Sequence, residues 1–546
     1  MCGILGGNRK NWLYSSALLT MAHRGPDGMR IWCDDKIEMG FVRLAIMDLS
    51  DKGMQPMTSS DENIIINYNG EIYGFQKLKT ELVSRGYQFK SQSDTEIILY
   101  SYLEWRDRFV DYIDGMFAIA IYDRTENKIK LFRDRCGIKP LYYYYENGRF
   151  AFSSELKGLL ALINDRKFEV DKTAIYDFFN YLYIPDPKSM YHNIFKLEQA
   201  HKLIFDLIDE KIITNEAYWE IKFNEKEGDS PAKQEQIQKV KELISEAIKN
   251  QMVADVPTGA FLSGGIDSSI IVSEALKYKV DYNVFSIGFY DFDTNELPYV
   301  TCLEESLNFK AKKYLVKKEE FKNMFSDIRM WFDEPFADTS AYPTYIVSRL
   351  AREKCKVALS GDGGDELFGG YTRYFWLKEY EESGQRSNQE IMEKIWTMHL
   401  YNPLPNLRDL KALLGIDEEY DENWYYKKYF VRDLPPITRM QYMDFYTYLP
   451  GDVLAKTDRV SMANSLEVRV PFLDRKIIEF TFSLTQSERC FDGELKKILK
   501  DAYTGELPGN LLYRRKWGFG IPQSFFGNEV SPQMKIVKEL YSEEII

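Results

Sequence analysis

The stretch Gly259-Ala-Phe-Leu-Ser-Gly-Gly-Ile-Asp-Ser-Ser-Ile-Ile-Val272 decides how the chain is read. Its first four residues are a short apolar run with the character of a buried strand. From Ser268 onward the residues have the spacing and capping chemistry of a helix start. A strand, a glycine loop and a helix present backbone N–H groups to an anion. The glycines let the ligand come close, and the helix dipole adds partial positive charge. Ser263, Ser268 and Ser269 add hydroxyl donors. Asp267 is negative and does not serve a phosphate by itself. An acid beside a phosphate cradle makes sense with a Mg²⁺ between them. The plain alternative is a glycine turn in an ordinary βα unit. No G-x-x-x-x-G-K-[ST] loop occurs in the chain.

The 546 residues are enough for several domains, and 45% are apolar, so sizeable cores can form. The net charge of −13 without a long basic run argues against a nucleic-acid partner. No stretch reaches the ~18 consecutive apolar residues of a membrane span. The opening Met1-Cys2-Gly3 lacks the basic and apolar regions of a secretory signal. Six cysteines stand at long, unrelated intervals with no C-x-x-C, and there are four histidines. That pattern disfavours a zinc site and fits reduced thiols in a cytoplasm.

Cys2 is informative by its position. If Met1 is removed, Cys2 carries a free amine with a pKa near ~8. That amine can take the thiol proton, so nucleophile and base belong to one residue. On Cys2 alone, a frayed terminus with an incidental cysteine is the simpler account. Further along, Gly40-Phe-Val-Arg43-Leu-Ala-Ile-Met-Asp48 reads as a largely buried strand interrupted by one arginine. A buried guanidinium needs a partner, and a substrate carboxylate suits its fork. Residues 63–68 read as a strand that Asn69-Gly70-Glu71-Ile72-Tyr73 breaks. Asn69 and the Gly70 N–H can form an oxyanion hole. Ser93-Asp94-Thr95-Glu96 opens a helix as a capping box, in which Asp94 alone would be a helix-start charge. The pair Asn147-Gly148 marks a hairpin turn.

Taken in order, Cys2-Gly-Ile, His23-Arg-Gly-Pro-Asp27, Arg43-Leu, Asn69-Gly-Glu-Ile-Tyr73, Ser93-Asp-Thr-Glu96, Gly115-Met-Phe-Ala and Arg133-Asp-Arg-Cys-Gly-Ile-Lys-Pro-Leu-Tyr142 resemble the class II glutamine amidotransferase domain. The match covers roughly residues 2–160. The resemblance implies a four-layer αββα sandwich of the N-terminal-nucleophile hydrolase type. It also implies an N-terminal cysteine that hydrolyses glutamine to glutamate and ammonia. By position, Cys2 is then the nucleophile and Arg43 holds the glutamine α-carboxylate. Glu71 and Asp94 bind the α-amino end, and Asn69 and Gly70 stabilise the oxyanion. Phe41, Gly74 and Cys136 depart from common family residues without touching these roles.

Residues 206–232 turn polar and charged. The expected division is 1–210, a linker over 211–232, and a second domain over 233–546. Helical periodicity covers 234–252. Strands are expected at 283–289, 312–316 and 356–359, and helices at 296–308 and 340–353. Strands alternating with helices predict a parallel sheet that binds ligand at its strand C-terminal ends. At one such end stands Ser360-Gly-Asp-Gly-Gly-Asp365-Glu-Leu-Phe-Gly-Gly-Tyr371, whose acids in a glycine loop suit a metal ion on pyrophosphate.

That motif, the Ser263–Ser269 loop and Lys456-Thr-Asp-Arg-Val-Ser-Met-Ala-Asn-Ser-Leu-Glu-Val-Arg-Val-Pro-Phe-Leu-Asp474 resemble the synthetase domain of glutamine-dependent asparagine synthetases. The loop itself resembles the pyrophosphate loop of ATP pyrophosphatases, so the implied fold is an α/β parallel sheet with a helical C-terminal part. By position, Leu262, Ser263, Gly264, Gly265, Asp267, Ser268, Ile287, Ser360 and Gly361 line an ATP site, and Asp267 and Asp365 hold Mg²⁺. Asp362 stands where well-known members have Glu, which keeps the carboxylate but shortens its reach. Lys516 is the candidate for neutralising charge on an adenylate, with Lys456 its rival. Asp333-Glu-Pro-Phe-Ala-Asp-Thr-Ser340 resembles the broader synthetase-like branch, which leaves the acceptor open.

The resemblance implies a ligase that takes ammonia from glutamine and adenylates a carboxylate with ATP. Aspartate is the default acceptor, and a uronic acid of a surface-polysaccharide precursor is the alternative. Intact Cys2, Asp267 and Asp365 argue against a protein that retains only the fold, and a pure glutaminase is distinguished by hydrolysis that persists without ATP or acceptor. The expected partners are small molecules, and a homodimer is compatible with the reading.

Overall fold

The computed structural model describes residues 2–223, 233–290, 295–317, 320, 328–399, 407–489, 494–514 and 520–521. The first half holds two antiparallel sheets. Sheet one runs β10 (Ile194–Lys196), β8 (Tyr142–Glu146), β9 (Arg149–Ser153), β1 (Gly3–Gly7), β3 (Glu38–Arg43) and β2 (Gly28–Cys33). Sheet two runs β12 (Lys211–Ala217), β11 (His201–Asp206), β7 (Lys128–Arg133), β6 (Gly115–Asp123), β5 (Ile64–Ile72) and β4 (Met57–Thr58). Alternate residues of both sheets, among them Ile4, Phe41, Ile65, Ala120, Leu131 and Phe152, meet in one buried layer. This is the period-2 burial of facing sheets. Helices Tyr14–Thr20 and Leu156–Leu162 cover the far face of sheet one, and the helix Asp94–Trp105 covers that of sheet two. The result is the αββα sandwich.

Several local expectations are corrected. Asn69-Gly70 does not break β5, which pairs with β6 through Ile72. Gly70 keeps the pairing tight, since a Cβ there would stand 2.1 Å from the Met116 carbonyl oxygen. Ser93 caps its helix by accepting from the Thr95 N–H. Glu96 does not complete a capping box, because its carboxylate accepts from the N–H groups of Lys90 and Ser91. The polar stretch 211–217 is not linker but β12, paired along β11. It is an exposed edge strand, so its polarity reflects solvent rather than a domain boundary.

The second half is built on an all-parallel sheet: β15 (Lys312–Val316), β14 (Asn283–Phe289), β13 (Thr258–Phe261), β16 (Val357–Leu359) and β17 (Glu467–Arg469). Helices Lys233–Gln251, Ile266–Tyr278, Leu297–Leu307 and Ala341–Arg352 pack around it. The helix after the glycine loop starts at Ile266, two residues before Ser268, with Gly265 at its N-cap. A helical region follows, in which a π-helical turn, Leu449–Leu454, leads into the helix Ala455–Met462.

The two halves interlock. The helix Lys172–Tyr181, which lies in sequence between β9 and β10, buries Tyr176, Phe178 and Phe179 in a large core of the second half. They share that core with Tyr342, Ile346, Tyr374 and Leu377. Phe178 is fully buried, so Phe178→Ala is expected to destabilise by about 3–5 kcal/mol. Thermal inactivation should then carry away glutaminase and synthetase activities at the same temperature, which following both on one heated sample will check.

Candidate active sites

Cys2, Arg43, Leu44, Gly70, Glu71 and Asp94 line one small cavity at the seam of the two antiparallel sheets. Cys2 immediately precedes β1, Arg43 ends β3, Gly70 and Glu71 lie in β5, and Asp94 opens its helix. The Cys2 N–H donates to Asn69 Oδ1 at 2.9 Å. That bond fixes the amide, and Asn69 Nδ2 is buried with no hydrogen-bond partner among the described residues. A buried donor left open beside a thiol is what an oxyanion site requires. Burial pushes the Cys2 thiol above its ordinary range, so the nucleophile must be made by proton transfer rather than stand ready as thiolate.

The Arg43 guanidinium is held by the carbonyl oxygens of Ser50, at 2.7 Å, and Asp48. Gly53 leaves room for it, since a Cβ there would lie 2.4 Å from Nη2. Asp94 Oδ2 accepts from the Tyr68 hydroxyl at 2.9 Å and the Ile72 N–H at 3.2 Å. Burial outweighs these bonds and pushes the Asp94 carboxyl up to about 6. Burial, then the Asp94 charge, holds Glu71 well above the usual carboxylate range, against the pull of Arg469.

Arg469 comes from β17, in the other half of the chain. Its Nη2 lies 3.2 Å from Glu71 Oε2, and its Nε lies 2.6 Å from Glu467 Oε1. Its Nη1 donates to the carbonyls of Gln251 and Val253. Its own carbonyl accepts from the Ser360 N–H at 2.8 Å.

Ser360 opens the second site, a cavity of about 440 Å³ at the C-terminal ends of the parallel strands. Leu262, Ser263, Gly265, Asp267, Ser268 and Ile287 line it from one side, and Ser360, Gly361, Asp362 and Asp365 from the other. Gly264 lies behind the lining, in the left-handed region at φ +81°, against Tyr299 and Glu296. The Ser268 hydroxyl is taken up within the loop, accepting from the Ser263 N–H at 3.2 Å and donating to the Gly265 carbonyl at 3.2 Å. Asp362 Oδ2 accepts from Ser360 Oγ at 3.0 Å and Thr457 Oγ1 at 2.9 Å. Lys456 Nζ donates to Ser340 Oγ at 2.7 Å and to Asp338 Oδ2 at 3.1 Å. Burial works against its charge, but Asp338 and Asp362 keep it protonated beyond the ordinary lysine range. Lys516 lies outside the described residues.

Asp267 and Asp365 converge on one ammonium, that of Lys496, which is 2.6 Å from Asp365 Oδ1 and also bonded to Asp267. Gly364 and Gly370 permit the approach, since side chains there would strike Asp267 and Asp365. Two carboxylates meeting at one cation are a hard-oxygen donor set. It fits a Mg²⁺ that draws its other ligands from water and phosphate. Lys496 carried no recognisable motif, and only its placement reveals it.

With both sites placed, the comparisons with known proteins are decisive. A glutamine amidotransferase domain model matches residues 1–219, and an asparagine synthase model matches residues 239–542. The chain belongs to the glutamine-hydrolysing asparagine synthetase family. Asparagine synthetase [glutamine-hydrolyzing] 1 of Bacillus subtilis is 32% identical over all of this chain and 91% of its own. Asparagine synthetase [glutamine-hydrolyzing] 3 of the same organism is 30% identical over 94% of this chain and 86% of its own. A relative from Methanocaldococcus jannaschii is 40% identical over 82% of this chain and 95% of its own. Membership makes the chain an ATP-dependent glutamine amidotransferase ligase. Among the described residues no helix is long and apolar enough to cross a membrane.

Arg469 is fully buried and pairs with two buried carboxylates. Arg469→Met removes the cation and strands both acids, which is expected to destabilise by about 3–5 kcal/mol. Chemical unfolding followed by tryptophan fluorescence will give the number.

Proposed function

We propose that the protein makes L-asparagine from L-aspartate, with glutamine as nitrogen donor and ATP as the activating substrate. The observation that carries the reading is the open Nδ2 of Asn69, whose Oδ1 accepts from the Cys2 N–H, next to a cavity lined by Cys2, Arg43, Glu71 and Asp94. Aspartate as acceptor is supported by the relatives, which are named asparagine synthetases.

Once Met1 is removed, the Cys2 amine takes the thiol proton and Sγ attacks the glutamine amide carbon. Asn69 Nδ2 and the Gly70 N–H donate to the oxygen that becomes negative. Arg43 holds the α-carboxylate, and Glu71 and Asp94 the α-ammonium. Collapse releases ammonia, and water then frees glutamate from the thioester. At the second site the aspartate β-carboxylate attacks the α-phosphorus of ATP, giving the acyl-adenylate and pyrophosphate. Asp267 and Asp365 would hold a Mg²⁺, whose chemistry when bound is to neutralise pyrophosphate charge. Backbone N–H groups of residues 264–268 donate to the phosphates. Ammonia then adds to the acyl carbon and AMP leaves, Asp362 taking the surplus proton and Lys456, or by sequence position Lys516, balancing the adenylate charge.

Ammonia in water at neutral pH is mostly ammonium and not a nucleophile. An apolar cluster supports its dry transfer. Leu44 and Ile46 line the Cys2 cavity, and they pack with Val357, at the start of β16, and with Met462.

The test is pyrophosphate release with ATP, Mg²⁺ and glutamine, with and without aspartate, read beside asparagine formation. Aspartate-dependent pyrophosphate with matching asparagine is expected, and glutaminase activity without either would sink the acceptor assignment. Cys2→Ala should abolish the glutamine-driven reaction and spare the one driven by ammonium salts.

The pH dependence follows from Asp94. Its carboxyl, at about 6, gains a proton as pH falls and loses the charge that binds the glutamine α-ammonium. KM for glutamine should therefore rise several-fold from about pH 7 to about pH 5, while KM for ATP moves less. Steady-state kinetics across that range will check it.

A further inference from the structure

Arg514 lines the same 440 Å³ cavity as Ser263, Gly265 and Asp267. Its side chain is only 5% exposed. One terminal nitrogen, Nη2, pairs with Glu296. The other, Nη1, is buried with no hydrogen-bond partner among the described residues. The guanidinium lies over the Tyr299 ring, 4.5 Å from its centroid. Glu296 is the N-cap of the helix Leu297–Leu307, and Tyr299 lies in its first turn.

This group adjoins the glycine loop itself. A Cβ on Gly264 would lie 3.1 Å from Tyr299 Cβ and 3.2 Å from the Glu296 carbonyl oxygen. The loop therefore packs against the residues that fix Arg514. An ion pair alone would explain one nitrogen of the fork. It leaves a second donor pointing into a buried space, where an unmade hydrogen bond is unfavourable by roughly 1–3 kcal/mol. A phosphate oxygen is the acceptor that suits a planar, permanently charged donor pinned in place. Stacking on Tyr299 and the bond to Glu296 hold the plane, so little freedom is lost when a ligand arrives.

We propose that Arg514 is a phosphate-holding residue of the ATP site, with Nη1 donating to the β- or γ-phosphate, the part that leaves as pyrophosphate. The proposal rests on the reading of this cavity as the ATP site. Arg514 stands beside the glycine loop, which on this reading takes the phosphates, so the proposal assigns it to the leaving group and not to AMP. It holds the phosphates before the bond to the α-phosphorus breaks, and stabilises the added negative charge of pyrophosphate afterwards.

The experiment is equilibrium binding of two probes, Mg²⁺-pyrophosphate and AMP, to the full chain and to Arg514→Ala. Glutaminase activity, whose residues are untouched, reports folding. Pyrophosphate binding is expected to weaken about tenfold or more, with AMP binding unchanged. Arg514→Lys keeps the charge but not the fork and should fall between. Equal weakening of both probes would show a purely structural pin and overturn the proposal, as would no change in either. If Arg514→Ala does not fold, Arg514→Lys is read by the same criterion of pyrophosphate loss without AMP loss. Failure of the unaltered chain to bind either probe would instead remove the ATP reading, and the proposal with it.

Discussion

The Arg469 guanidinium is where the two halves of the chain depend on one another. Its carbonyl fixes Ser360, the first residue of the acidic loop 360–371, while its side chain reaches Glu71 in the Cys2 cavity. It is fully buried; Nε and Nη1 bond an acid and two carbonyls, and Nη2 lies 3.2 Å from Glu71 Oε2. A charge in that position tolerates little displacement, because its favourable energy depends on keeping every partner at bonding distance. β17 therefore cannot slide along β16 without breaking into the glutamine site, and Glu71 cannot move without disturbing β17. The sheet edge that carries one chemistry is clamped by the acid that serves the other.

The same economy of charge recurs along the rest of the interface. Arg24, from the first half, pairs with Asp458 and Glu155 at 2.8 Å each. Arg459 pairs with Glu155 and Asp333 at 3.2 Å each, and Lys139 lies 3.4 Å from Asp458. Every one of these side chains is nearly water-free. A network of this kind specifies one docking geometry rather than adding much net stability. The apolar anchorage comes from elsewhere, chiefly the helix Lys172–Tyr181 sunk in the second core. Orientation and adhesion are thus supplied by different residues.

Much of this was legible in the sequence because it is local. Strand, loop and helix around Ser263–Ser269 follow from periodicity and glycine placement, and the glutamine-site residues lie in short motifs that the two sheets bring together. What stayed hidden is long-range. β12 reads as linker because an edge strand facing solvent is polar. Glu96 reads as a cap partner, yet the chain turns back so that residues 90 and 91 offer their N–H groups first. Lys496 caps the helix Lys497–Tyr503 from a left-handed conformation, φ +55°, and nothing in its neighbours announces the two distant carboxylates that it joins. Arg469 was quoted within a motif, but its role exists only once β17 lies beside β16.

Lys496 gives the nucleotide site a definite electrical state before any ligand arrives. Burial would discharge the amine, yet Asp267 and Asp365 keep it protonated. The two acids in turn are brought close without mutual repulsion dominating, since the ammonium stands between them. On the proposed reading, a triphosphate entering this cavity would meet a cation already in place, with Arg514 among the lining residues. A divalent ion carried in with the phosphates would compete with Lys496 for the same two carboxylates. The single ammonium offsets one of the two negative charges, and a divalent ion would offset both. The two half-buried carboxylates thus never face each other bare in this structure, an arrangement that like-charge repulsion disfavours.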